Sequence, residues 1–514
     1  MMKITIYDGA DTIGGTKIHV EDGRNGVFLD FGMNFAKYSI YYEEFLRERS
    51  ARGIYDIWML NLIPKLNIYR ADLIPQDLSE IVRRYPAPRV DAVLISHAHL
   101  DHVGNIALLR ENIPIVASPT TLVILKALRD TSQNSHMGME LPYYSPKTPV
   151  NGNPNVLKSD RKGDYIARDM VVTEKLKHDI ERFMRWRPEL KLARSNRVRK
   201  IRVGQIVSVE EWDFPWEVKA YPVDHSIYGA VGYVIDGVIA YTGDFRLHGE
   251  RRALTKKFIK EAKNASVLIT EGTRINREDF NVSEDEVYEN ALGIVEEANG
   301  LVVADFSPRN FERLETFKKI AKKTGRELVI TSKDAYFLHA LTLAEGVNYL
   351  EGVRIYENLK ADPRKWELWV FERYGELKVT PGEIRESPEN YILCFSFYDM
   401  PHLLDVMPSG GVYIYSSSEA FTEEQVFSFL RLWNWLQHFG FEVYGFKVLR
   451  DGRPVFEKGL HASGHASRED LIRVIDKVDP DYIIPVHTEN PEWFKGAFGS
   501  ERVVILNNGE SFEI

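Results

Sequence analysis

The sequence has one cysteine, Cys394, among its 514 residues. A single cysteine excludes an intrachain disulfide and also a cysteine-rich zinc site, so any bound metal must be held by histidine and carboxylate side chains. Long apolar runs are missing too: no segment approaches the roughly 18 consecutive apolar residues that span a bilayer, and residues 1–8 lack the apolar core of a signal peptide. We therefore expect a soluble, cytoplasmic protein that has no membrane partner.

An excess of positive charge is missing as well. Lys and Arg total 66 and Asp and Glu total 75, which gives a net charge of -9. This balance argues against nonspecific binding of polyanions by the whole surface, and it leaves room for local basic patches. The content of 44% hydrophobic and 27% charged residues is that of an ordinary globular protein, and the length predicts about two to three domains.

The pattern of strands and helices changes along the chain. The first third reads as short β-rich segments separated by Gly and Asp, and strand-like segments recur between residues 201 and 242. From about residue 255 strands and helices alternate, which predicts a parallel sheet covered by helices. From residue 456 the chain returns to strand, loop and helix around two histidines.

One segment, from about residue 134 to 203, stands apart and ends in a strongly basic stretch. Between Arg182 and Arg202 there are nine Lys or Arg residues and one acidic residue, with Phe183 and Trp186 among them. This pattern predicts a positive stripe suited to phosphates, with aromatic rings for base stacking. A solvated helical face explains the same charges, and the sequence leaves both interpretations open.

The sharpest signal is the segment Ser96–Gly104, which reads His-Ala-His-Leu-Asp-His from His97 and follows an apolar strand. His97 and His99 alternate along an extended segment, so they can point the same way, while Asp101 and His102 lie past the bend and can face a second ion. Three histidines and an aspartate packed this closely would be costly to bury without a metal.

Further candidate ligands follow predicted strands downstream. They are His225, Asp244 and His487. Each one alone is more often a turn or capping residue. Together with the first cluster they complete two sites of histidine and carboxylate ligands, which suit two zinc ions, with manganese as an alternative because the ligands include oxygen donors.

These segments resemble known motifs. Asp30 in Phe28–Gly32, the cluster from His97 to His102, His225, and Asp244 in Thr242–Phe245 resemble the four successive motifs of the metallo-β-lactamase fold. Three further segments resemble the extra motifs of the β-CASP nucleases, the group that contains ribonuclease J, Artemis and the pre-mRNA 3′-end endonuclease: Thr270–Thr273, Ser463–Ala466 and Pro485–Glu489.

The resemblance implies an α/β architecture, namely a metallo-β-lactamase αββα sandwich with an inserted β-CASP α/β domain. Residues 1–254 would form the first part of the metallo-β-lactamase domain, including the basic segment 134–203. Residues 255–455 would form the β-CASP domain, and residues 456–514 would complete the first domain.

The resemblance also implies roles for single residues. His97, His99 and His225 would hold one metal, Asp101, His102 and His487 the other, and Asp244 would bridge both. Asp30 would orient a ligand histidine. The catalytic group would comprise Asp101, His465 as proton donor to the leaving oxygen, and Glu271, which would orient His465.

Phosphate and nucleic-acid contacts are expected from three places. Backbone amides at Ser463 and Gly464 precede a predicted helix and could hold a phosphate. The stretch 305–313 is similar to a short ribonuclease J segment that receives a 5′-monophosphate, which suggests Ser307, Arg309 and Asn310; a helix N-terminus capped by Ser307 explains these residues equally well. In the basic segment the expected contacts are Arg194, Arg197 and Arg199.

The resemblance implies a metal-dependent nuclease that hydrolyses phosphodiester bonds of single-stranded nucleic acid, most simply RNA, as a 5′-to-3′ exoribonuclease, an endoribonuclease, or both. The alternatives are a DNA nuclease of the same family, a metallo-hydrolase of small esters, and a non-catalytic scaffold subunit of an RNA-processing complex. Contacts to the 2′-hydroxyl are not readable from one sequence, so RNA and DNA stay undecided. The oligomeric state is open, with a homodimer among the alternatives.

Overall fold

The computed structural model describes residues 1–43, 45–132, 137–160, 162–188, 199–202, 204–277, 282–418 and 423–514. The elements of the first 245 residues are mostly short. The strands are β1 (Lys3–Asp8), β2 (Lys17–Glu21), β3 (Gly26–Leu29), β4 (Ala92–Leu94), β5 (Ile115–Ala117), β6 (Lys147–Val150), β7 (Asn153–Ser159), β8 (Tyr165–Ile166), β9 (Met170–Val172), β10 (Ile201–Arg202), β11 (Ile206–Ser208), β12 (Val218–Pro222), β13 (Val231–Ile235) and β14 (Ile239–Tyr241). The α-helices are α1 (Phe35–Ser39), α2 (Tyr55–Met59), α3 (Gln76–Val82), α4 (Leu100–Val103), α5 (Pro119–Thr131) and α6 (His178–Arg185).

The rest of the chain has longer helices. Its strands are β15 (Val267–Glu271), β16 (Leu301–Asp305), β17 (Glu327–Ile330), β18 (Val353–Tyr356), β19 (Lys378–Val379), β20 (Tyr391–Cys394), β21 (Gly411–Tyr415), β22 (Phe441–Tyr444), β23 (Phe446–Val448), β24 (Pro454–Phe456), β25 (Tyr482–Val486) and β26 (Ser511–Glu513). Its α-helices are α7 (Arg252–Glu261), α8 (Glu284–Glu297), α9 (Phe311–Thr324), α10 (Ser332–Glu345), α11 (Lys365–Tyr374), α12 (Pro381–Glu386), α13 (Leu403–Val406), α14 (Glu423–His438), α15 (Arg468–Val478) and α16 (Glu492–Phe498).

Two sheets pack face to face. The first sheet has the strand order β11-β9-β5-β4-β3-β2-β1-β26 and the second has the order β12-β13-β14-β15-β25. Side chains alternate along each strand, so Val27 and Leu29 of β3 lie in the apolar layer between the sheets, while Phe28 points to the helices outside. On the outer face of the second sheet, Leu268 of β15 packs with α7, α15 and α16. This four-layer arrangement confirms the expected αββα sandwich.

A third sheet is entirely parallel and has the order β19-β18-β17-β20-β16-β21-β22. Helices cover both faces, since Val302 of β16 packs on one side with α8 and α9, and Val303 packs on the other with α13 and α14. The alternating pattern after residue 255 is thereby confirmed as a parallel α/β unit. Local signals set its helix ends: in α10, Thr331 and Asp334 form a capping box and Gly346 takes the left-handed conformation that ends the helix.

The chain leaves the sandwich after β15 and returns to it at β25, which pairs in parallel with β15. β26 then closes the first sheet by pairing with β1. The boundaries at residues 255 and 455 stay a prediction. β15 pairs with β14 and β25 of the sandwich rather than with the third sheet, although it lies beyond residue 255.

The sandwich and the third-sheet unit share one apolar core, because residues of α5 and of α10 belong to the same buried cluster. Polar groups also cross this contact. Asp130 on α5 is 5% exposed and accepts hydrogen bonds from Lys126 Nζ, from the Tyr143 hydroxyl at 2.6 Å and from the Tyr336 hydroxyl of α10 at 2.7 Å. The joint between the two parts therefore combines apolar packing with specific polar contacts.

The aromatic residues of the basic segment belong to this joint. Phe183 is buried and its ring lies 6.2 Å from that of Tyr336, while the ring of Trp186 lies 5.2 Å from that of Trp369. The sequence suggested these two rings for base stacking, but they pack against the third-sheet unit instead. Arg194 and Arg197 lie outside the described residues. Arg199 donates to the carbonyls of Gly163 and Asp160 and to Ser145.

Within the described ranges, every helix is too short or too polar to traverse a lipid bilayer.

The Tyr336→Phe variant tests the joint. It removes a hydroxyl that donates to buried Asp130, so we expect the free energy of unfolding in urea to fall by about 1–3 kcal/mol. The matched control is Tyr444→Phe, whose hydroxyl donates to exposed Glu442; here the change should stay within about 0.5 kcal/mol. Equal stabilities of the two variants would contradict the structural role of the Asp130 contact.

Candidate metal centre

The predicted metal ligands meet at one edge of the sandwich. His97 and His99 follow β4, His225 follows β12, Asp244 follows β14 and His487 follows β25. The sheets fix the ends of these strands, so the loops after them can present side chains to a common point. In the part of the chain that the structure describes, three groups of converging histidine and carboxylate atoms result.

The first group is made of His97, His99 and His225. His97 Nε2 lies 3.0 Å from His99 Nδ1, and His225 Nε2 lies 3.2 Å from the same atom. Nitrogen ligands about 2.0–2.1 Å from a tetrahedral zinc ion are roughly 3.3 Å apart, so this spacing fits a shared divalent cation.

The protonation states in this group favour metal binding. Burial, followed by neighbouring positive charge, holds the pKa values of His97 and His99 well below the usual range and lowers the pKa of His225 to about 4. The three rings are neutral at physiological pH, which is the form that binds a metal. Because His225 Nδ1 lies 2.6 Å from the Gly464 carbonyl and must donate to it, Nε2 carries the free lone pair.

The second group is made of Asp101, His102, Asp244 and His487. His102 Nε2 lies 3.1 Å from Asp244 Oδ2, and His487 Nε2 lies 3.2 Å from Asp101 Oδ2. Asp244 is 2% exposed, and its Oδ1 atom has no hydrogen-bond partner in the described part of the chain. A buried carboxylate oxygen without a partner is costly, and a cation would satisfy it.

The electrostatics of the second group also favour a cation. Burial alone would lower the pKa of His102, but the carboxylates of Asp244, Asp101 and Asp30 raise it well above the usual range. These three carboxylates therefore strongly stabilise a positive charge placed between them. Asp244 Oδ2 also lies 3.7 Å from His97 Nε2, so Asp244 stands between the two groups. The residues present fit a divalent metal cofactor.

Asp30 holds His102 in place. Asp30 accepts hydrogen bonds from the Ser96 amide at 2.7 Å, from the Ser96 and Tyr241 hydroxyls at 2.6 Å and from His102 Nδ1 at 2.8 Å. The bond from His102 Nδ1 fixes the orientation of the ring, so Nε2 faces Asp244. Sequence reasoning missed Ser96 and Tyr241; the available signal was a tyrosine in a buried strand, whose hydroxyl needs a partner.

The third group joins His465 and Glu271 to Asp244. His465 Nδ1 lies 2.9 Å from Glu271 Oε2 and 3.8 Å from Asp244 Oδ2. Burial would lower the pKa of His465, but the carboxylates of Glu271 and Asp244 raise it to about 9. The side chain is 23% exposed, so a protonated imidazole lies beside the metal-ligand candidates at a point that solvent can reach.

Thr273 connects the second and third groups, and sequence reasoning gave it no role. Its hydroxyl donates to Glu271 Oε2 at 2.5 Å and therefore accepts from His487 Nδ1 at 3.0 Å. This orients His487 with Nε2 toward Asp101. The signal was its place in the segment Thr270–Thr273, but a threonine after a strand is usually a turn residue.

Close packing also places the Asp101 loop. A Cβ atom on Gly32 would lie 1.6 Å from the Asp101 carbonyl oxygen, so no larger residue fits at position 32.

His487 has a φ of 51°, a left-handed conformation that non-glycine residues adopt mainly where the surrounding structure imposes it.

The contacts expected at phosphates stay predictions, including those of the Ser463 and Gly464 backbone amides. The Ser463 hydroxyl accepts from the His465 amide, and the Gly464 carbonyl accepts from His225. Asn310, not Ser307, caps α9, because its side chain accepts from the Arg313 amide at 3.1 Å. The alternative with Ser307 as the cap is wrong.

Arg309 reaches a cavity of about 960 Å³ that lies between the third-sheet unit and the sandwich. Leu100 of the metal segment and Ser307 also line this cavity. Arg309 Nη1 is buried and has no hydrogen-bond partner among the described residues. Its charge contributes, after burial and His225, to the low pKa of His99. A guanidinium placed this way can accept an anion next to the metal ligands.

Two family models match parts of the chain. The model described as a beta-lactamase superfamily domain matches residues 72–145, which include the His97 to His102 cluster. The model described as a Zn-dependent metallo-hydrolase RNA specificity domain matches residues 454–493, which include His465 and His487.

Several curated relatives are similar to this chain at low identity. Ribonuclease J of Pyrococcus abyssi (strain GE5 / Orsay) is 23% identical over 95% of this chain and 90% of its own length. Ribonuclease J of Methanocaldococcus jannaschii is also 23% identical, over 100% of this chain and 99% of its own length. Ribonuclease J 1 of Streptococcus pyogenes is 23% identical over 83% of this chain, and the match spans 62% of that protein.

A solved structure shares the fold. The crystal structure of a protein of unknown function from Enterococcus faecalis V583 aligns with a TM-score of 0.65 and 23% identity, over 99% of both chains. At this identity the match concerns the fold alone.

The Asp244→Ala variant tests cation binding at this edge. Zinc added to the metal-free wild type at about 100 times its dissociation constant should stabilise the fold by about 2.7 kcal/mol and raise the melting temperature. Asp244→Ala removes the carboxylate between the two groups, so the zinc-induced shift should fall to less than about half of that value. The control Glu469→Ala changes an exposed carboxylate on α15 and should keep the full shift. A full shift in Asp244→Ala would exclude Asp244 as a ligand.

Proposed function

Because the chain is a ribonuclease J-like protein of the metallo-β-lactamase superfamily, we propose that it is a metal-dependent ribonuclease that hydrolyses phosphodiester bonds of single-stranded RNA. One observation carries the proposal: His465 and His487 lie in the segment that matches an RNA specificity domain, and both converge on Asp244 with the histidines of the β-lactamase-like segment.

The proposed cofactor is a pair of zinc ions, with manganese as the alternative. His97, His99 and His225 would hold one ion, Asp101, His102 and His487 the other, and Asp244 would contact both. When bound, divalent cations of this kind supply an activated nucleophile and stabilise the negative charge that develops on the phosphate.

His465 is the proposed general acid. Its pKa of about 9 keeps the imidazole protonated at neutral pH. Glu271 occupies Nδ1, so Nε2 is the nitrogen that can donate a proton to the leaving oxygen. Phe245 donates its amide to the other oxygen of Glu271 at 2.9 Å, which holds the carboxylate in this orientation.

Arg309 is the proposed phosphate-binding residue. It lies in the loop before α9 and lines the cavity together with Leu100, the neighbour of Asp101, and its guanidinium can donate to a phosphate oxygen there. Ser307 lines the same cavity. A phosphate held here would place a neighbouring phosphodiester at the metal ligands, which suits cleavage from a 5′ end and also internal cleavage near an anchored phosphate.

The direct test is cleavage of single-stranded RNA labelled at its 3′ end. The RNA carries a 5′-monophosphate or a 5′-hydroxyl, and a DNA of the same sequence is assayed beside it, each with zinc or manganese and with an EDTA control. A descending ladder from monophosphorylated RNA indicates 5′-to-3′ exonucleolytic action, and discrete internal cuts indicate an endonuclease. No cleavage of any strand by the metal-loaded protein would reject the proposal.

The His97→Ala variant should abolish cleavage in this assay, because it removes a metal ligand that is 0% exposed. The control His438→Ala changes an exposed histidine on α14 and should keep wild-type activity. Wild-type activity in His97→Ala would reject the metal-dependent mechanism.

Arg309→Ala should raise the KM for RNA by about 10-fold to 100-fold, which corresponds to the loss of about 1.5–3 kcal/mol for a hydrogen bond to a charged group. The exposed Arg24→Ala serves as the control. Steady-state kinetics on 5′-monophosphate and 5′-hydroxyl RNA locates the contact: a loss limited to the first substrate assigns Arg309 to the terminal phosphate. An unchanged KM on both would remove Arg309 from the RNA site.

A further inference from the structure

A buried ionic cluster lies where the third-sheet unit meets the metal centre. We call it the junction cluster, and its members, each at most 3% exposed, are Asp224, Arg246, Glu284, Glu312 and Arg313. Buried ion pairs cost desolvation energy that their attraction seldom exceeds, so stability alone does not account for such a cluster. Its connections to the metal centre suggest what it does.

The junction cluster joins two parts of the fold. Asp224 directly precedes the metal-ligand candidate His225, and Arg246 lies close after Asp244 in the same loop. Glu284 lies in the first turn of α8, and Glu312 lies in the first turn of α9. Arg246 therefore belongs to the sandwich, while two of its carboxylate partners belong to the third-sheet unit.

All three guanidinium nitrogens of Arg246 contact a carboxylate. Its Nε donates to Asp224 Oδ1 at 3.1 Å, its Nη1 lies 3.4 Å from Glu284 Oε1, and its Nη2 donates to Glu312. Nη1 also donates to the carbonyl oxygen of Ser463 at 3.2 Å. Lysine cannot reproduce this fork of planar donors.

The Ser463 carbonyl connects the junction cluster to the metal centre. Besides Arg246, it accepts from His248 Nε2 at 2.9 Å. The next carbonyl, that of Gly464, holds the ring of His225, and the next residue is His465. Fixing one peptide carbonyl thus fixes two functional histidines that lie far apart in sequence.

Arg313 holds the same returning segment further upstream. Its Nη1 donates to the Leu460 carbonyl at 3.1 Å and to the Ser416 carbonyl at 2.6 Å. Its Nε and Nη2 bind both oxygens of Glu284 at 3.0 Å. The segment 460–465 is therefore attached at two points to one ionic cluster.

We infer that Arg246 is a positioning residue that sets His225 and His465 through the Ser463 carbonyl and ties both to the third-sheet unit. Arg246 touches neither metal nor substrate in this role. The inference rests on the proposed function for its catalytic part, and the zinc affinity provides a readout that does not need RNA cleavage.

The test compares Arg246→Lys with a matched control in the zinc-loaded protein. The control is Arg168→Lys, because Arg168 is also buried but, among the described residues, donates only to the backbone carbonyls of Leu109, Arg110 and Ile113, away from the metal centre. Competition with a chelator gives the zinc dissociation constant. Arg246→Lys should raise it about 10-fold and lower kcat about 10-fold to 100-fold, with KM within about 3-fold. Arg168→Lys should leave all three within about 3-fold.

A double-mutant cycle separates positioning from general destabilisation. If Arg246 acts on kcat through His465, adding Arg246→Lys to His465→Ala should lower kcat by less than about 3-fold, because the group that it positions is already gone. If Arg246→Lys only destabilised the protein, it would lower kcat by the same factor in the His465→Ala variant as in the wild type. A full multiplicative loss would therefore overturn the catalytic part of the inference.

A second variant removes a hydrogen bond to the Ser463 carbonyl without removing a buried charge. Burial and the charge of Arg246 lower the pKa of His248 to about 4, so its ring is neutral and Nε2 donates to Ser463. His248→Phe should raise the zinc dissociation constant and lower kcat in the same direction as Arg246→Lys, each about 3-fold to 10-fold. If Arg246→Lys fails to fold, His248→Phe still tests whether the Ser463 carbonyl positions the two histidines.

The two hypotheses fail in different ways. A wild type that cleaves RNA, with Arg246→Lys and His248→Phe equal to the control in zinc affinity and kcat, would overturn the positioning role alone. A wild type that leaves RNA intact, with both variants weakened in zinc binding, would overturn the proposed ribonuclease function and keep the positioning of His225.

Discussion

The burial of the metal-ligand candidates is the constraint on which the rest of this structure depends. His97, His102, His225, Asp244 and His487 are each at most 2% exposed. Groups of this kind are costly to remove from water unless they are paired. The outer ring nitrogens of His102, His225 and His487 are paired with protein groups, whereas the inner nitrogen and oxygen atoms of the set face one another. A divalent cation would satisfy these inner atoms together, so the residues that build this edge of the fold also give it the capacity to bind a metal.

The hydrogen bonds behind the ligands convert this burial into a defined geometry. Asp30 fixes His102, the Gly464 carbonyl fixes His225, and Thr273 fixes His487, and each of these bonds selects the ring nitrogen that is left for a metal. Two of the three come from segments far along the chain from the histidine they hold. The returning segment after residue 456 is therefore needed to complete sites that begin in the first hundred residues.

The sequence predicted the parts of this site that are local in the chain. The spacing from His97 to His102 signals a metal cluster because so many ligands leave one strand end, and the alternation after residue 255 signals a parallel sheet because each period is a complete strand and helix. Contacts between distant segments were less accessible. Thr273 and Tyr241 gain their roles only when β15 and β14 are brought beside β25 and Asp30. The packing of Phe183 and Trp186 was not predicted, because an amphipathic segment has the same sequence pattern whether its aromatic rings face solvent or a second domain.

The contact between the sandwich and the third-sheet unit has a consequence for the substrate. Separating the two parts would expose the apolar core that α5 and α10 share, would leave Asp130 without the Tyr336 hydroxyl, and would break the buried pairs of Arg246 with Glu284 and Glu312. Each of these changes is costly, because buried charges that lose their partners are strongly destabilising. We therefore expect the cavity beside Arg309 to keep its shape when RNA binds. A strand must then fit the existing opening, and a flexible single strand does this at a lower cost than a stiff duplex, so the rigidity of the joint supports the proposal of a single-stranded substrate.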